Sequence, residues 1–261
     1  MTSDLLQERA EAPITIVPAR RRDWWREVVI VAIFYGLYTL VRDLRGDKPV
    51  SAAMAFTNAR RLIHLERLLG IFHEANVQHY FLHFRWLIEA CDDYYDTVHF
   101  VAVIVTLLVL FFWFPERYRP LRNGLAITTG LALFGFYFFP LMPPRLLPEG
   151  YHFVDTLRTV GGLWNFSNGP VNDISDQYAA MPSLHTAWAA WCAVALVPLI
   201  RPWWGKALMV LYPVVTIFAV IVTANHFFGD IIAGLVDLGV SLLLAGWLTR
   251  RLDAWRTRTR A

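Results

Sequence analysis

The sequence predicts an all-α, polytopic membrane protein: one bundle of six transmembrane helices with interfacial helices and a long outward loop. Three observations lead there. Hydrophobic residues make up 56% of the chain and charged residues 17%, a balance that suits lipid better than water. Six apolar stretches approach the roughly 18 to 20 residues that a helix needs to cross a bilayer. The Lys and Arg residues alternate from loop to loop, as they do when short basic loops stay in the cytoplasm.

Residues 1–23 read as a cytoplasmic tail. Asp4, Glu8 and Glu11 precede Arg20, Arg21 and Arg22, without the short apolar core and small-residue cleavage site of a signal peptide. The first span, Trp24–Val41, is therefore expected to stay. Residues 50–90 are too polar to span, but Ala55, Ala59, Leu62, Ile63, Leu65, Leu69 and Ile71 recur at near-helical spacing while Arg60, Arg61, Glu66 and Arg67 fall elsewhere. That pattern predicts one or two interfacial helices. The second and third spans, Val98–Phe114 and Gly124–Met142, enclose Arg117, Arg119 and Arg122. Between residues 141 and 182 lie Pro143, Pro144, Pro148, Gly150, Gly161, Gly162, Gly169 and Pro170, which forbid a long regular helix. A loop of that length usually binds something.

The fourth, fifth and sixth spans are Ser183–Ile200, Ala207–Ala224 and Phe228–Trp247, and residues 250–261 read as a basic cytoplasmic tail. Residues 24–249 thus form a single membrane domain. More than half of the 24 Lys and Arg fall on one side, which places both termini in the cytoplasm of a multi-pass cell-membrane protein. The loop at 42–97 also carries basic residues, but its length and acids make it less informative than the short loops.

The net charge of +3 and pI near 9.0 do not point to nucleic acid, because the arginines flank membrane spans and form no basic face with interleaved aromatics. Cys91 and Cys192 fall on different spans, and no disulfide is expected.

Ionisable groups near a span are costly and so attract a functional reading. Three clusters carry them: Pro182-Ser183-Leu184-His185 at the start of the fourth span, Asn225-His226-Phe227-Phe228-Gly229-Asp230 at the start of the sixth, and Asp92, Asp93, Asp96 and His99 at the start of the second. All three lie at outward helix ends, so residues far apart in sequence converge. His226 and Asp230, four apart, would share a helical face, with the carboxylate fixing the imidazole tautomer and leaving the other nitrogen as a nucleophile. His185 would protonate a leaving oxygen, and the N-termini of the fourth and sixth helices would face a phosphate. Ser183 and Asp230 also read as plain helix caps. A metal site is the chemical competitor, but the cluster lacks Cys and a third ligand at a compelling spacing, so neither metal nor cofactor is expected.

Pro182-Ser183-Leu184-His185 and His226-x3-Asp230 resemble the phosphate-binding motifs of the type 2 phosphatidic acid phosphatase superfamily. Leu184 stands in place of that superfamily's usual Gly, Ala219 and Val220 stand where a Ser-Arg pair would fall, and its Lys-x6-Arg-Pro motif is not recoverable. These departures, with Pro143-Pro144-Arg145, look like the inositolphosphotransferase branch related to inositol phosphorylceramide synthase. The resemblance implies six membrane helices, no metal, and a phosphohistidine-type intermediate that an alcohol or water resolves. Arg145, just past the third span, is the candidate to replace the missing cations, because a guanidinium offers forked donors to phosphate. Ser183 and Asn225 would add weaker bonds, Arg158 is a less constrained option, and Asp96 and His99 would position the acceptor. Asp237, one turn pair deeper, reads as a bundle hydrogen-bonding residue.

The expected function is a membrane phosphotransferase with a lipid substrate and an alcohol acceptor. A lipid phosphate phosphatase using water is the alternative, and a lipid transporter or scaffold a third reading. No nucleic-acid partner is expected, and oligomeric state is not legible.

Overall fold

A computed structural model describes residues 51–160, 178 and 180–258, together with positions 25, 27–29, 32 and 36 of the preceding segment. Most of the expected first span therefore lies outside the described residues, as does much of the long loop.

Helix α1 (Ala52–Leu68) starts where the Ser51 hydroxyl accepts the Met54 amide at 3.4 Å. It ends at Gly70, whose φ of 70° lets the Gly70 and Ile71 amides fold back onto the carbonyls of Arg67 and Glu66, the turn that glycine makes without a Cβ penalty. Helix α2 (Glu74–Phe81) follows. Two helices thus fill the stretch where one or two were expected, with one correction to the buried face. Ala55, Asn58, Ala59, Leu62, Ile63 and Glu66 point inward, whereas Leu65 and Leu69 are 52% and 63% exposed.

Helix α3 (Arg85–Trp113) begins well before the expected start at Val98. At about 1.5 Å per residue it is about 43 Å long, against a hydrocarbon core of about 30 Å. Its first turns carry the acidic cluster and extend beyond the apolar part. Helix α4 (Pro115–Phe138) follows after the single residue Phe114, with Pro115 at the first position and Glu116 in the first turn, both suited to a helix start. The expected loop holding Arg117, Arg119 and Arg122 is thus the beginning of α4. Helix α5 (Leu184–Leu196) stops short of Ile200 in a 3-10 turn at Val197–Leu199, where Pro198 supplies no amide. Helices α6 (Trp203–Val222) and α7 (Phe228–Arg258) complete the bundle, α7 running past the expected end at Trp247.

Among the described residues, three helices are long and apolar enough to cross a membrane: α3, α6 and the Phe228–Leu252 part of α7. Their outer faces expose side chains such as Ile104, Leu108, Leu208, Val214, Val236 and Leu243, an apolar surface far larger than a water-soluble monomer carries. The chain is a membrane protein. Inside, several polar side chains on different helices pair within the bundle, as a lipid surround favours. Trp188 Nε1 donates to Thr129 Oγ1 at 3.1 Å, Trp191 Nε1 to the Leu121 carbonyl at 3.0 Å, and Tyr94 and Thr216 share a bond of 2.7 Å. Cys91 and Cys192 are buried free thiols.

The close contacts fix direction. A Cβ on Gly124 would meet Leu242 and one on Gly135 would meet Pro182, while Gly234 lies against the Ser183 backbone. Helix α4 therefore runs antiparallel to α7, and the N-terminal ends of α5 and α7 come together at one end. The opposite end holds the start of α4, the α5–α6 turn and the basic end of α7. There Arg122 pairs with Glu27 at 2.6 Å and the Tyr118 hydroxyl donates to Glu27 at 2.9 Å.

Candidate active site

Helix α6 ends in a turn that aims the catalytic candidates. The Ala219 carbonyl accepts from Thr223 N and Thr223 Oγ1, and the Val220 carbonyl accepts both the Asn225 and His226 amides at 2.9 and 3.2 Å. Ala224 sits at φ 54°, a left-handed conformation unusual without glycine. This turn holds Asn225 and His226 just ahead of α7. The expected helical register for His226 and Asp230 is thus corrected, since α7 begins at Phe228. Their contact survives because the closed turn and the first turn of α7 set the two side chains face to face.

His226 Nδ1 lies 3.2 Å from Asp230 Oδ2, and His226 Nε2 lies 3.3 Å from His185 Nδ1. Asp230 is fully buried and the His226 side chain is 4% exposed, so water screens this chain of groups poorly. With the Nδ1 proton directed to the carboxylate, Nε2 keeps its lone pair. His185 comes from the first turn of α5, which is brought close by Gly234, where a Cβ would run into Ser183. The Ser183 amide also donates to the Asp230 carbonyl at 2.9 Å, tying the two helix starts directly.

The His185 ring is sandwiched. Tyr95 stacks on it at 4.3 Å with planes 26° apart, and His99 meets it edge-on at 4.3 Å. The two groups expected to hold an acceptor thus have different places. His99 is buried against His185 and Trp188, while Asp96, half-buried, lies within electrostatic reach of Arg145. Tyr95 was not singled out in the sequence, although it lies one turn before His99 on α3.

Arg145 comes from the short turn at Pro144–Leu146. Its amide donates to the Ala224 carbonyl at 2.8 Å, its Nε donates to Asn225 Oδ1 at 2.9 Å, and its Nη1 is 3.5 Å from Asp155. A guanidinium is thus held beside the residue preceding His226. Asn225 spends its Nδ2 on Thr223 Oγ1. Ser183, expected at the phosphate, is fully buried, and its hydroxyl caps the Thr186 amide at 3.4 Å. Arg158 lies in a separate helical turn, Thr156–Thr159, where Thr156 Oγ1 donates to Asp92 at 3.0 Å. Asp237 accepts from Ser241 at 3.1 Å, which suits a structural role.

The expectation that the start of α7 faces a phosphate is corrected by two carboxylates from α1 and α2. Glu66 Oε1 accepts the Gly229 amide at 2.6 Å and Glu74 Oε1 the Phe228 amide at 2.9 Å. Both acids are at most 1% exposed, and they already occupy the N–H groups that an anion would use. The sequence carried a signal for Glu66, which lies four and three residues after Leu62 and Ile63 on the buried stripe.

A pocket of about 330 Å³ lies between the α1–α2 turn and residues 150–152, lined by Arg67, Phe72, His73, His79, Tyr151 and His152. It shares no residue with the histidine pair. Among the described residues, no three His, Cys, Asp or Glu side chains are grouped to hold a metal ion.

The model of the PAP2 superfamily, the type 2 phosphatidic acid phosphatase group, matches residues 60–244. That stretch is most of the chain and contains His185, His226 and Asp230. No curated protein and no solved structure matches.

Proposed function

The chain belongs to the PAP2 superfamily, whose activity is that of phosphatases or phosphotransferases on phosphate esters, and we propose that it transfers a phosphoryl-type group from a membrane lipid to an alcohol through His226. The observation that carries this reading is the chain of contacts from Asp230 through His226 to His185, at 3.2 and 3.3 Å. It supplies a base-oriented nucleophile and an acid on the side the nucleophile faces.

In the first step, His226 Nε2 forms a bond to phosphorus as the P–O bond to the lipid alkoxide breaks. His185 gives its proton to that oxygen. In the second, the acceptor hydroxyl gives its proton to His185 while its oxygen bonds phosphorus and the P–N bond breaks. Asp230 stabilises the imidazolium formed between the steps, an attraction that is strong in a site closed to water. The present 3.3 Å contact between the two rings leaves no room for phosphorus, so substrate binding displaces the His185 hydrogen bond.

Arg145 and Asn225 hold the phosphate oxygens in this reading, with Asp96 and His99 on the acceptor side. Ser183 contributes through the start of α5. The site lies at the end of the bundle opposite the basic helix ends, which supports an outward-facing site with cytoplasmic termini. The replacement of a Ser-Arg pair by buried Ala219 and Val220, with Arg145 supplied from another segment, favours the inositolphosphotransferase branch and transfer of phosphoinositol or a similar head group. No step requires a metal.

The test is incubation of the purified chain with radiolabelled phospholipids in EDTA, with and without alcohol acceptors, for wild type and His226→Ala. Label in a new head-group product, absent with His226→Ala, is the expected result. Label released only to water makes the protein a lipid phosphatase. Full activity of His226→Ala, or none in the wild type unless a metal is restored, overturns the mechanism.

A further inference from the structure

Two buried acids outside the histidine chain remain without a role. Glu66 on α1 and Glu74 on α2 converge on the first turn of α7, each through one oxygen, as described above. Their remaining oxygens, Oε2 of each, are buried with no donor to accept from. Two ionised carboxylates in contact, fully removed from water and close to Asp230, would repel each other and leave both atoms unsatisfied. A single proton between them satisfies both at once.

We propose that Glu66 and Glu74 form a proton-sharing clamp that positions the first turn of α7, and with it Asp230, for the reaction at His226. The clamp grips Phe228 and Gly229, the two residues immediately before Asp230. It does so at a close approach: a Cβ on Gly229 would fall 2.6 Å from Leu62 Cδ1 and 3.1 Å from Glu66 Oε1. A carboxylate pair is also matched to the helix, since one net negative charge at the N-terminus is favoured while a second is opposed by its neighbour. Glu66 and Glu74 are therefore positioning residues, which act through α7 and do not touch the substrate.

Burial, followed by the charge of Glu74, raises the Glu66 carboxyl to about 8. Burial likewise raises Glu74. The titratable groups bearing on the pair are the two acids themselves and Asp230 of α7. A carboxyl whose folded value lies above its unfolded one stabilises the fold fully below about pH 4.5 and loses that contribution as pH rises through about 8, because the folded state then holds the extra proton.

The proposal rests on the histidine reading for its catalytic consequence but not for its stability consequence, and two measurements separate them. The first is the melting temperature of the full chain in detergent between pH 6.5 and 9.5. Wild type is expected to lose stability through about pH 8. Glu66→Gln and Glu74→Gln, which carry a permanent neutral donor in place of the proton, are expected to match wild type at pH 6.5 and to stay flat above it. The second is kcat over the same range with a phosphate-ester substrate. Wild type should show an alkaline fall that Glu66→Gln removes, whereas Glu66→Ala should lower kcat at least tenfold at every pH with KM little changed. An unfolded Glu66→Gln at pH 6.5, or a melting profile identical to wild type, overturns the shared proton. Normal kcat for Glu66→Ala overturns the positioning role. If the melting profiles behave as stated and the protein proves to have no histidine-dependent activity, only the functional reading fails.

Discussion

Replacing Asp230 with Asn tests the electrostatics of the site with little change in shape. Asp230 Oδ2 lies 3.2 Å from His226 Nδ1, and the side chains are 0% and 4% exposed. When His226 bonds phosphorus its ring becomes cationic, and the carboxylate is the nearest compensating charge. At an effective dielectric of about 20, unit charges at that distance attract by about 5 kcal/mol, equivalent to a rate loss of about 10³- to 10⁴-fold. Asn adds a second defect: an amide nitrogen turned to Nδ1 favours the tautomer with its proton on Nε2, removing the nucleophilic lone pair. The assay is single-turnover label transfer from a radiolabelled phospholipid in detergent micelles, with thermal melting as the control for folding. A folded Asp230→Asn protein within tenfold of the wild-type rate would refute the assignment of Asp230 as the charge partner of His226.

Other consequences are sharp enough to measure. Arg145→Ala removes the bonds to Asn225 and Asp155 and a charge beside the site; a lost charged hydrogen bond is worth about 1.5 to 3 kcal/mol, so kcat/KM should fall about 10- to 100-fold, with Arg145→Lys restoring little because it lacks the forked geometry. Gly234→Ala drives a methyl into the Ser183 backbone, and an overpacking cost of about 1 to 3 kcal/mol should lower the melting temperature by several degrees and slow turnover by separating α5 from α7. Ala224→Gly removes a left-handed penalty of about 1 kcal/mol, partly offset by the entropy of glycine. Its melting temperature should stay equal to wild type or rise by a few degrees in the same scan, whereas a clear fall would mean that the Ala224 methyl is needed in the turn.

How much of this was legible in the sequence differs from element to element. The sixth apolar stretch was readable at its start, because Phe228 opens a long apolar run broken only by Asp230, Asp237 and Ser241 before Trp247, but not at its end. Residues Thr249–Arg258 are polar and helical, and polarity marks where a membrane span ends, not where hydrogen bonding ends. The same confusion placed Arg117, Arg119 and Arg122 in a loop. The histidines were legible because ionisable groups stand out against Leu, Val and Ile. Their approach depended on chain reversals whose signals are local and weak, such as the Val220 carbonyl gathering two amides. Glu66 and Glu74 were missed because an acid on a short amphipathic helix ordinarily belongs to the solvated face. Only the spacing from Leu62 and Ile63 spoke against that for Glu66, while Glu74 at the start of α2 looked like an ordinary first-turn acid. Tyr95 was hidden for the opposite reason, since one aromatic among the many in an apolar protein carries no mark of its stacking partner.

The most direct test of the central claim is to locate the covalent intermediate. Wild-type protein is mixed with a phospholipid labelled at phosphorus, quenched within one turnover under alkaline conditions that preserve phosphorus–nitrogen bonds, and digested for mass spectrometry. Acid-labile label on His226, absent from His226→Ala, is the expected result. Turnover by the wild type with no label on any residue, or label on a residue other than His226, would contradict it.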